Sequence, residues 1–461
     1  MKVNLVFGPP GTGKTTELMS ILEEELKTLT PQEIAYVTFT KEGAEQGIRR
    51  ATDAFPYNRE DFIYFRTLHS LAFRQLKLAR SDVISKMHYR EFSSFVGMNF
   101  SGHYTEEIQT KDDEYLFFDE LYRNNEKEAE AYMAQLDMSK VTFVRRNYKS
   151  YKEKLHIKDF TDMVEDFCER NIPVPVKVAF IDEAQDLTTL QWRMVLIAFR
   201  DCERIYIAGD DDQAVYQWSG ADVNYFLSIV GEVKILQHSY RLPDSVLKFS
   251  KHITDQIGKR VVKEYNGKGE KGAVKYVNDI SELTFDDTST YMLLARNNAY
   301  LSNYEFLLQQ YGLNYFLKED KAVKKKELET IKLYEESRRA HGMTPYMNNV
   351  LAPSLKTRYN LANPWYDSFN WSLDKCNYIR EMLSNGAFEE HPRIRVSTIH
   401  AVKGGEADHV VLMLDMARKT FSSFQANPDP EHRVFYVGAT RAKKTLTIVY
   451  STTKHAYPLY L

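Results

Sequence analysis

Residues 8–15 read Gly8-Pro9-Pro10-Gly11-Thr12-Gly13-Lys14-Thr15, between a short β-rich run at 3–7 and a stretch where Leu18, Ile21, Leu22, Leu26 and Leu29 recur at helical spacing. A glycine-rich loop between strand and helix turns its backbone N–H groups toward phosphate, and the helix N-terminus adds its positive dipole end. Lys14 supplies a point charge for the β- and γ-phosphates, the Thr15 hydroxyl is placed to bind Mg²⁺, and Thr16 completes the nucleotide-binding stretch. The loop specifies a nucleoside triphosphate and leaves motor, kinase and switch open.

The second chemical constellation narrows that choice. A buried-type strand at 178–181 ends in Asp182-Glu183-Ala184-Gln185-Asp186. A carboxylate at a strand tip can hold the Mg²⁺ shell while its neighbour reaches an attacking water. Asp182 therefore fits metal binding and Glu183 the general base of hydrolysis. A kinase would not need that water-activating glutamate.

Elements that could position these groups alternate along the chain. Further β-like runs fall at 34–39, 205–208, 292–295, 410–414 and 446–449, with helical patterns between them, the first opening near Lys41. Strands alternating with helices predict parallel sheets covered on both faces. Two polar, helix-rich stretches, 81–160 and 318–391, interrupt the rhythm, which resumes after each. They read as insertions into α/β cores.

Composition bounds the partners. The chain has 461 residues, 27% charged and 43% apolar, enough for several domains. A net charge of −3 excludes a protein that coats nucleic acid by bulk electrostatics, so any such binding needs a local basic and aromatic track. Cys168, Cys202 and Cys376 are scattered and form no CxxC pair, which argues for a reducing compartment and against structural zinc. No apolar run is long enough for a membrane span and no signal peptide is evident, so a cytoplasmic protein is expected.

Further segments carry a family resemblance. Thr38-Phe39-Thr40-Lys41 with Ala44, Thr67-Leu68-His69-Ser70, Asp182 to Gln185, the run from Gly209 to Ala221, Tyr240-Arg241, the run from Thr398 to Glu406 and that from Tyr436 to Ala442 resemble, in order, the motifs of the UvrD/Rep/PcrA family of superfamily 1A DNA helicases. The stretch Gly209-Asp210-Asp211-Asp212-Gln213-Ala214-Val215-Tyr216-Gln217-Trp218-Ser219-Gly220-Ala221 is the most specific of these. The resemblance implies two RecA-like core domains, ATP in the cleft between them, and single-stranded DNA crossing both. It implies that Arg241 and Arg441 act as arginine fingers from the second core, that Gln213 senses the γ-phosphate, that Tyr240 stacks on adenine and that Glu406 contacts the ribose. Phe39, Thr67, His69, Thr398 and His400 join Tyr216 and Trp218 on the DNA track. Tyr216 and Trp218 stand two apart, so on an extended segment both rings would face one side, where base stacking tolerates any sequence.

The expected organisation is a first core at 1–80 and 161–236, a helical insertion at 81–160, a second core at 237–317 and 392–461, and a short insertion at 318–391. The expected activity is 3′–5′ translocation on single-stranded DNA and unwinding at single-strand/duplex junctions, with ATP and Mg²⁺ and with replication or repair proteins as further partners. A P-loop phosphotransferase or regulatory NTPase that does not act on nucleic acid is the alternative. The chain opens on its first strand, without the Gln-bearing segment the family uses for adenine. No nuclease-like acidic cluster follows the last motif, so a fused nuclease is not expected.

Overall fold

Short runs of β-branched, aromatic and aliphatic residues build two mainly parallel sheets. The computed structural model describes residues 1–38, 41–102, 110–133, 136–384, 386, 391–451 and 453–459. They group into two units: 1–247 with 251–270 and 427–436, and 248–250 with 271–426 and 437–461.

The first unit holds strands β1 (Lys2–Phe7), β2 (Ile34–Thr38), β3 (Phe65–Thr67), β4 (Val178–Ile181), β5 (Arg204–Gly209) and β6 (Glu232–Ile235), in the order β3-β2-β4-β5-β1-β6. All its pairings are parallel, with Phe7 beside Gly209 and Ile181 beside Ile207. This register brings the residues after β1, β4 and β5 to one edge, where ligands bind in open parallel sheets. Helices α1 (Lys14–Glu25), α2 (Lys41–Ala54) and α3 (Leu68–Gln75) follow the first three strands. Strands β2 and β4 are buried at every position, as two covered faces require.

Within the same unit, residues 81–160 form helices Lys86–Val96, Asp113–Asn124, Glu126–Met133 and Met138–Leu155. Their apolar faces close two small cores, one around Phe92, Phe100 and Val144 and one around Phe117, Phe118 and Val141. Arg123 fastens them to the following helix, Phe160–Arg170, through Asp159 at 3.0 Å and Asp162 and Glu165 at 2.5 Å.

The second unit holds β7 (Ala273–Val277), β8 (Tyr291–Ala295), β9 (Tyr315–Leu317), β10 (Asp320–Lys321), β11 (Ile394–Thr398), β12 (Ala407–Met413) and β13 (Ala442–Val449), in the order β10-β9-β11-β8-β12-β13-β7. The β9–β10 pair alone is antiparallel among the described strands. The 318–391 stretch forms helices Lys325–Arg339, Pro345–Leu351, Trp365–Ser368 and Leu373–Ser384. Tyr334, Trp365 and Phe369 from it share one core with Leu293 and Tyr304, so it packs on this sheet. Lys324, Lys325 and Lys326 are exposed; the first two pair with Asp320 and Glu329.

The grouping differs from the sequence reading: residues 237–247, 251–270 and 427–436, expected in the second core, pack in the first unit. The cause is local: Ser239 Oγ donates to the Pro10 carbonyl at 2.7 Å, and the Tyr240 N–H donates to the Gly11 carbonyl at 2.9 Å.

Candidate nucleotide and nucleic-acid site

The phosphate loop has the backbone its glycines require. Gly11 and Gly13 have φ of 72° and 80°, the left-handed region that L-residues rarely adopt. A Cβ on Gly11 would also fall 2.3 Å from the Arg241 Cβ. Lys14 Nζ donates to the Gly8 carbonyl at 3.0 Å, and the Thr12 hydroxyl donates to Pro9 at 2.8 Å. The lysine is thus folded back over the loop that its charge would complete around a triphosphate.

Asp182 lies just past β4 and is 4% exposed. The Tyr36 hydroxyl donates to its Oδ2 at 2.6 Å, and the Glu183 N–H donates to its Oδ1 at 2.9 Å. Burial and the neighbouring Glu183 charge push its pKa up to about 6, against those bonds and the charge of Lys14. A single strand-tip carboxylate, with other positions left to water and phosphate, suits Mg²⁺, which keeps several waters and takes one or two carboxylates. Among the described residues no group of three or more His, Cys, Asp or Glu could hold a metal without such help.

This raised pKa yields a stability prediction. A carboxyl with a folded pKa above its unfolded value stabilises the fold below the unfolded pKa, and that contribution is lost as pH rises through the folded value. The window here runs from about pH 4 to about pH 6. Without nucleotide or magnesium, Asp182→Asn should therefore stabilise the protein by on the order of 1–3 kcal/mol at pH 7. The gain, read as a rise in Tm, should vanish near pH 4. A gain that persisted at pH 4 would show better packing in place of relieved charge burial.

Glu183 follows in the left-handed region, φ 52°, which turns its side chain off the strand direction. Its Oε2 accepts from Gln185 Nε2 at 2.5 Å. Gln185, fully buried, also accepts the Asp210 N–H through Oε1 at 3.0 Å, and Asp210 Oδ2 accepts from Gln213 Nε2 at 2.6 Å. A continuous hydrogen-bonded line therefore runs Glu183–Gln185–Asp210–Gln213. It ties the Glu183 carboxylate to the segment that continues to Tyr216.

The three aspartates have partners that sequence spacing did not reveal. Lys263, fully buried, places Nζ 3.1, 2.5 and 2.9 Å from carboxylate oxygens of Asp210, Asp211 and Asp212. Burial opposes its charge, but the three carboxylates more than offset this and hold its pKa above the ordinary lysine value. Arg260 grips Asp212 through two bonds of 2.8 and 2.7 Å, and Arg433 Nε donates to the Asp211 carbonyl at 2.9 Å. Nothing in the sequence marks Lys263, Arg260 or Tyr36 out from other Lys, Arg and Tyr residues. Gln185 stood inside a recognised segment without a role.

The two arginines expected together differ in setting. Arg241 comes from the first unit itself, directly behind the phosphate loop, which corrects the expectation that both fingers come from the second core. Tyr240 beside it is 73% exposed, its ring edge-on to His238 at 4.7 Å, and so presents a free face for a base. Arg441 lies in the second unit and is 1% exposed. Its guanidinium donates to the carbonyls of Val437 and Gly405 at 2.9 and 3.3 Å and to the Thr440 hydroxyl at 3.2 Å. Glu406 lies 3.8 Å from Lys443 in the same unit.

The expected DNA-facing residues divide between the units. Phe39 lies outside the described residues. Thr67 caps α3, accepting the Ser70 N–H at 3.2 Å. His69 sits edge-on to the exposed Phe160, at 5.4 Å, and burial pushes its pKa down to about 4, so its ring is neutral at pH 7. Tyr216 is half-buried, and residues Gln217–Ser219 form a single 3₁₀ turn, not the extended segment assumed from the two-residue spacing. Trp218 turns to stack on Phe117 of the helical insertion, centroids 6.1 Å apart, and joins that small core. Thr398 ends β11, and His400 is buried in the turn His400–Val402 that follows.

Residues 1–234 match the UvrD/REP helicase N-terminal domain, and residues 393–449 match the UvrD-like helicase C-terminal domain. The chain is 25% identical over 287 residues to a probable DNA helicase of Mycoplasma pneumoniae, covering 56% of this chain and 54% of that one. It is 22% identical over 269 residues to the ATP-dependent DNA helicase Rep of Buchnera aphidicola, covering 53% and 39%. It is 24% identical over 305 residues to the ATP-dependent DNA helicase PcrA of Staphylococcus aureus, covering 58% and 40%. The chain thus spans about half or less of the length of these relatives. Since the N-terminal family domain fills the half of the chain that carries the phosphate loop, Asp182, Glu183 and Gln213, this chain belongs to the UvrD/REP helicase family.

Proposed function

We propose that the protein is an ATP-dependent motor that translocates 3′–5′ on single-stranded DNA and unwinds DNA. The observation that carries this reading is the hydrogen-bonded line from Glu183 through Gln185 and Asp210 to Gln213. A nucleotide switch has no need to wire its hydrolytic carboxylate to an aromatic-bearing segment; a motor must. In this reading Lys14 and the loop amides hold the triphosphate, Glu183 takes the proton of the attacking water, and Arg241 and Arg441 face the charge that develops on the transferred phosphoryl group. Tyr240 stacks on the base and Glu406 contacts the ribose. Thr15 and Asp182 are the residues that would hold Mg²⁺, which when bound neutralises charge on the phosphates.

The DNA-facing set in this reading is Thr67, His69, Tyr216 and Trp218 from the first unit and Thr398 and His400 from the second. Tyr216 is the stacking platform, and the packing of Trp218 on Phe117 makes that ring a support as well as a contact. ATP hydrolysis should rise strongly when single-stranded DNA is added, and an unstimulated rate would overturn the motor reading. Tyr216→Ala should weaken single-strand binding by roughly 1–3 kcal/mol, the cost of one stacked base, measured by fluorescence anisotropy. Polarity is read by streptavidin displacement from oligonucleotides biotinylated at either end. Faster release from the 5′ end is expected, and faster release from the 3′ end would reverse the assignment. Among the described residues no helix is long and apolar enough to cross a membrane.

A further inference from the structure

A cavity of about 500 Å³ opens along β3, the edge strand of the first sheet, between α2 and α3. Three guanidinium groups line it: Arg59, Arg66 and Arg74. None belongs to a segment that carries the family resemblance. Arg59 is neutralised at the rim by Glu45 at 2.5 Å. The other two are different. Arg66 is partly buried, and its hydrogen-bond partners are neutral: Nε donates to the Ile63 carbonyl at 2.6 Å, and Nη1 to the Ser70 hydroxyl at 3.4 Å. Arg74, about one turn beyond Ser70 on α3, is exposed. Neither has a carboxylate within ion-pair distance among the described residues.

A partly buried cation without a counter-ion is unfavourable, and neighbouring like charges make it more so. Burial, and then the charges of Arg74 and Arg59, hold Arg66 below the ordinary guanidinium pKa. The Ser70 hydroxyl, which accepts from Arg66, keeps its own proton to donate. Arg66, Arg74 and Ser70 therefore point donors at one space, with Glu60 on the rim as the opposing charge. Guanidinium forks with a hydroxyl donor match the tetrahedral oxygens of a phosphodiester. The position decides which phosphodiester: Thr67 and His69, of the DNA-facing set, sit on the same β3–α3 junction as Arg66 and Ser70.

We propose that Arg66, Arg74 and Ser70 form a seat for a backbone phosphate of the single-stranded nucleic acid, beside the family's motif residues. The inference rests on the motor reading above. A phosphate seat contributes no sequence preference, and its signature is electrostatic. The test is anisotropy of a labelled oligothymidylate titrated with the full chain at salt concentrations from about 50 to 200 mM. Arg66→Ala with Arg74→Ala should raise Kd by about tenfold near 100 mM salt and flatten the log Kd–log salt slope by about 0.7, the contribution of one single-strand phosphate contact. Arg74→Glu, at an exposed position, should weaken binding further and guards against a folding defect, which an unchanged Tm checks. Tyr216→Ala is the contrast: it should lose affinity with the slope intact. Wild-type binding with an unchanged Kd and slope in the arginine variants would overturn the seat and leave the motor reading standing. A wild-type chain that does not bind the oligonucleotide would overturn both.

Discussion

Glu183→Gln should bind ATP about as tightly as the parent chain and turn it over roughly 10²- to 10⁴-fold more slowly, the usual worth of a positioned general base. The substitution keeps side-chain volume and leaves an amide oxygen to accept from Gln185, so the hydrogen-bonded line to Asp210 survives. What disappears is the carboxylate proposed to take the proton. Lys14→Ala should remove hydrolysis altogether by weakening nucleotide binding, since its ammonium is the loop's fixed positive charge. Phosphate release and nucleotide affinity measured on the same preparations separate the two cases. Near-normal turnover by Glu183→Gln would remove its role as base and point to a water held by another group.

Arg241→Ala and Arg441→Ala should each lower turnover by roughly 10³-fold or more, with far smaller losses of nucleotide affinity, as arginine fingers do. Their structural settings predict different side effects. Arg241 backs directly on Gly11, so its loss also frees the loop behind the phosphates and should raise the nucleotide Kd modestly. Arg441 satisfies the carbonyls of Val437 and Gly405, and its loss strips them of a donor. A lower Tm, by an amount equivalent to about 1–3 kcal/mol, should accompany the kinetic defect in Arg441→Ala alone. Equal losses of affinity at unchanged maximal rate would show that the arginines bind nucleotide and do not serve the transition state.

The fold class and the family motifs were more legible in this sequence than its packing. The phosphate loop and the Asp182–Glu183 pair stand out because the chemistry proposed for them requires fixed residue types at fixed spacing, and the α/β alternation was readable because buried parallel strands need apolar runs. The strands at Phe65–Thr67, Glu232–Ile235 and Asp320–Lys321 were not, because each is short, at a sheet edge, and partly or wholly polar. The placement of Tyr240 and Arg241 was misread because backbone bonds to Pro10 and Gly11 leave no trace in residue type. The two-residue spacing of Tyr216 and Trp218 misled for a related reason: a 3₁₀ turn and an extended strand can carry the same letters. Lys263 was invisible because a lysine fifty residues from three aspartates looks like any solvated lysine until the fold buries it.

The patchwork make-up of the first unit has a consequence for synthesis. Its last contribution, residues 427–436, is completed 166 residues after residue 270, where the preceding contribution ends. At roughly 5–20 residues per second that is a wait on the order of 10–30 s. During it, the Asp211 carbonyl lacks Arg433, while Lys263 and Arg260 can already hold the three carboxylates. The nascent chain is therefore expected to mature in two stages: an early acid–base clasp made from nearby sequence, then a later seal made by the helix Asp429–Ala439. Substitutions at Arg433 should accordingly lower the yield of folded protein from cells more than they lower the Tm of what is recovered.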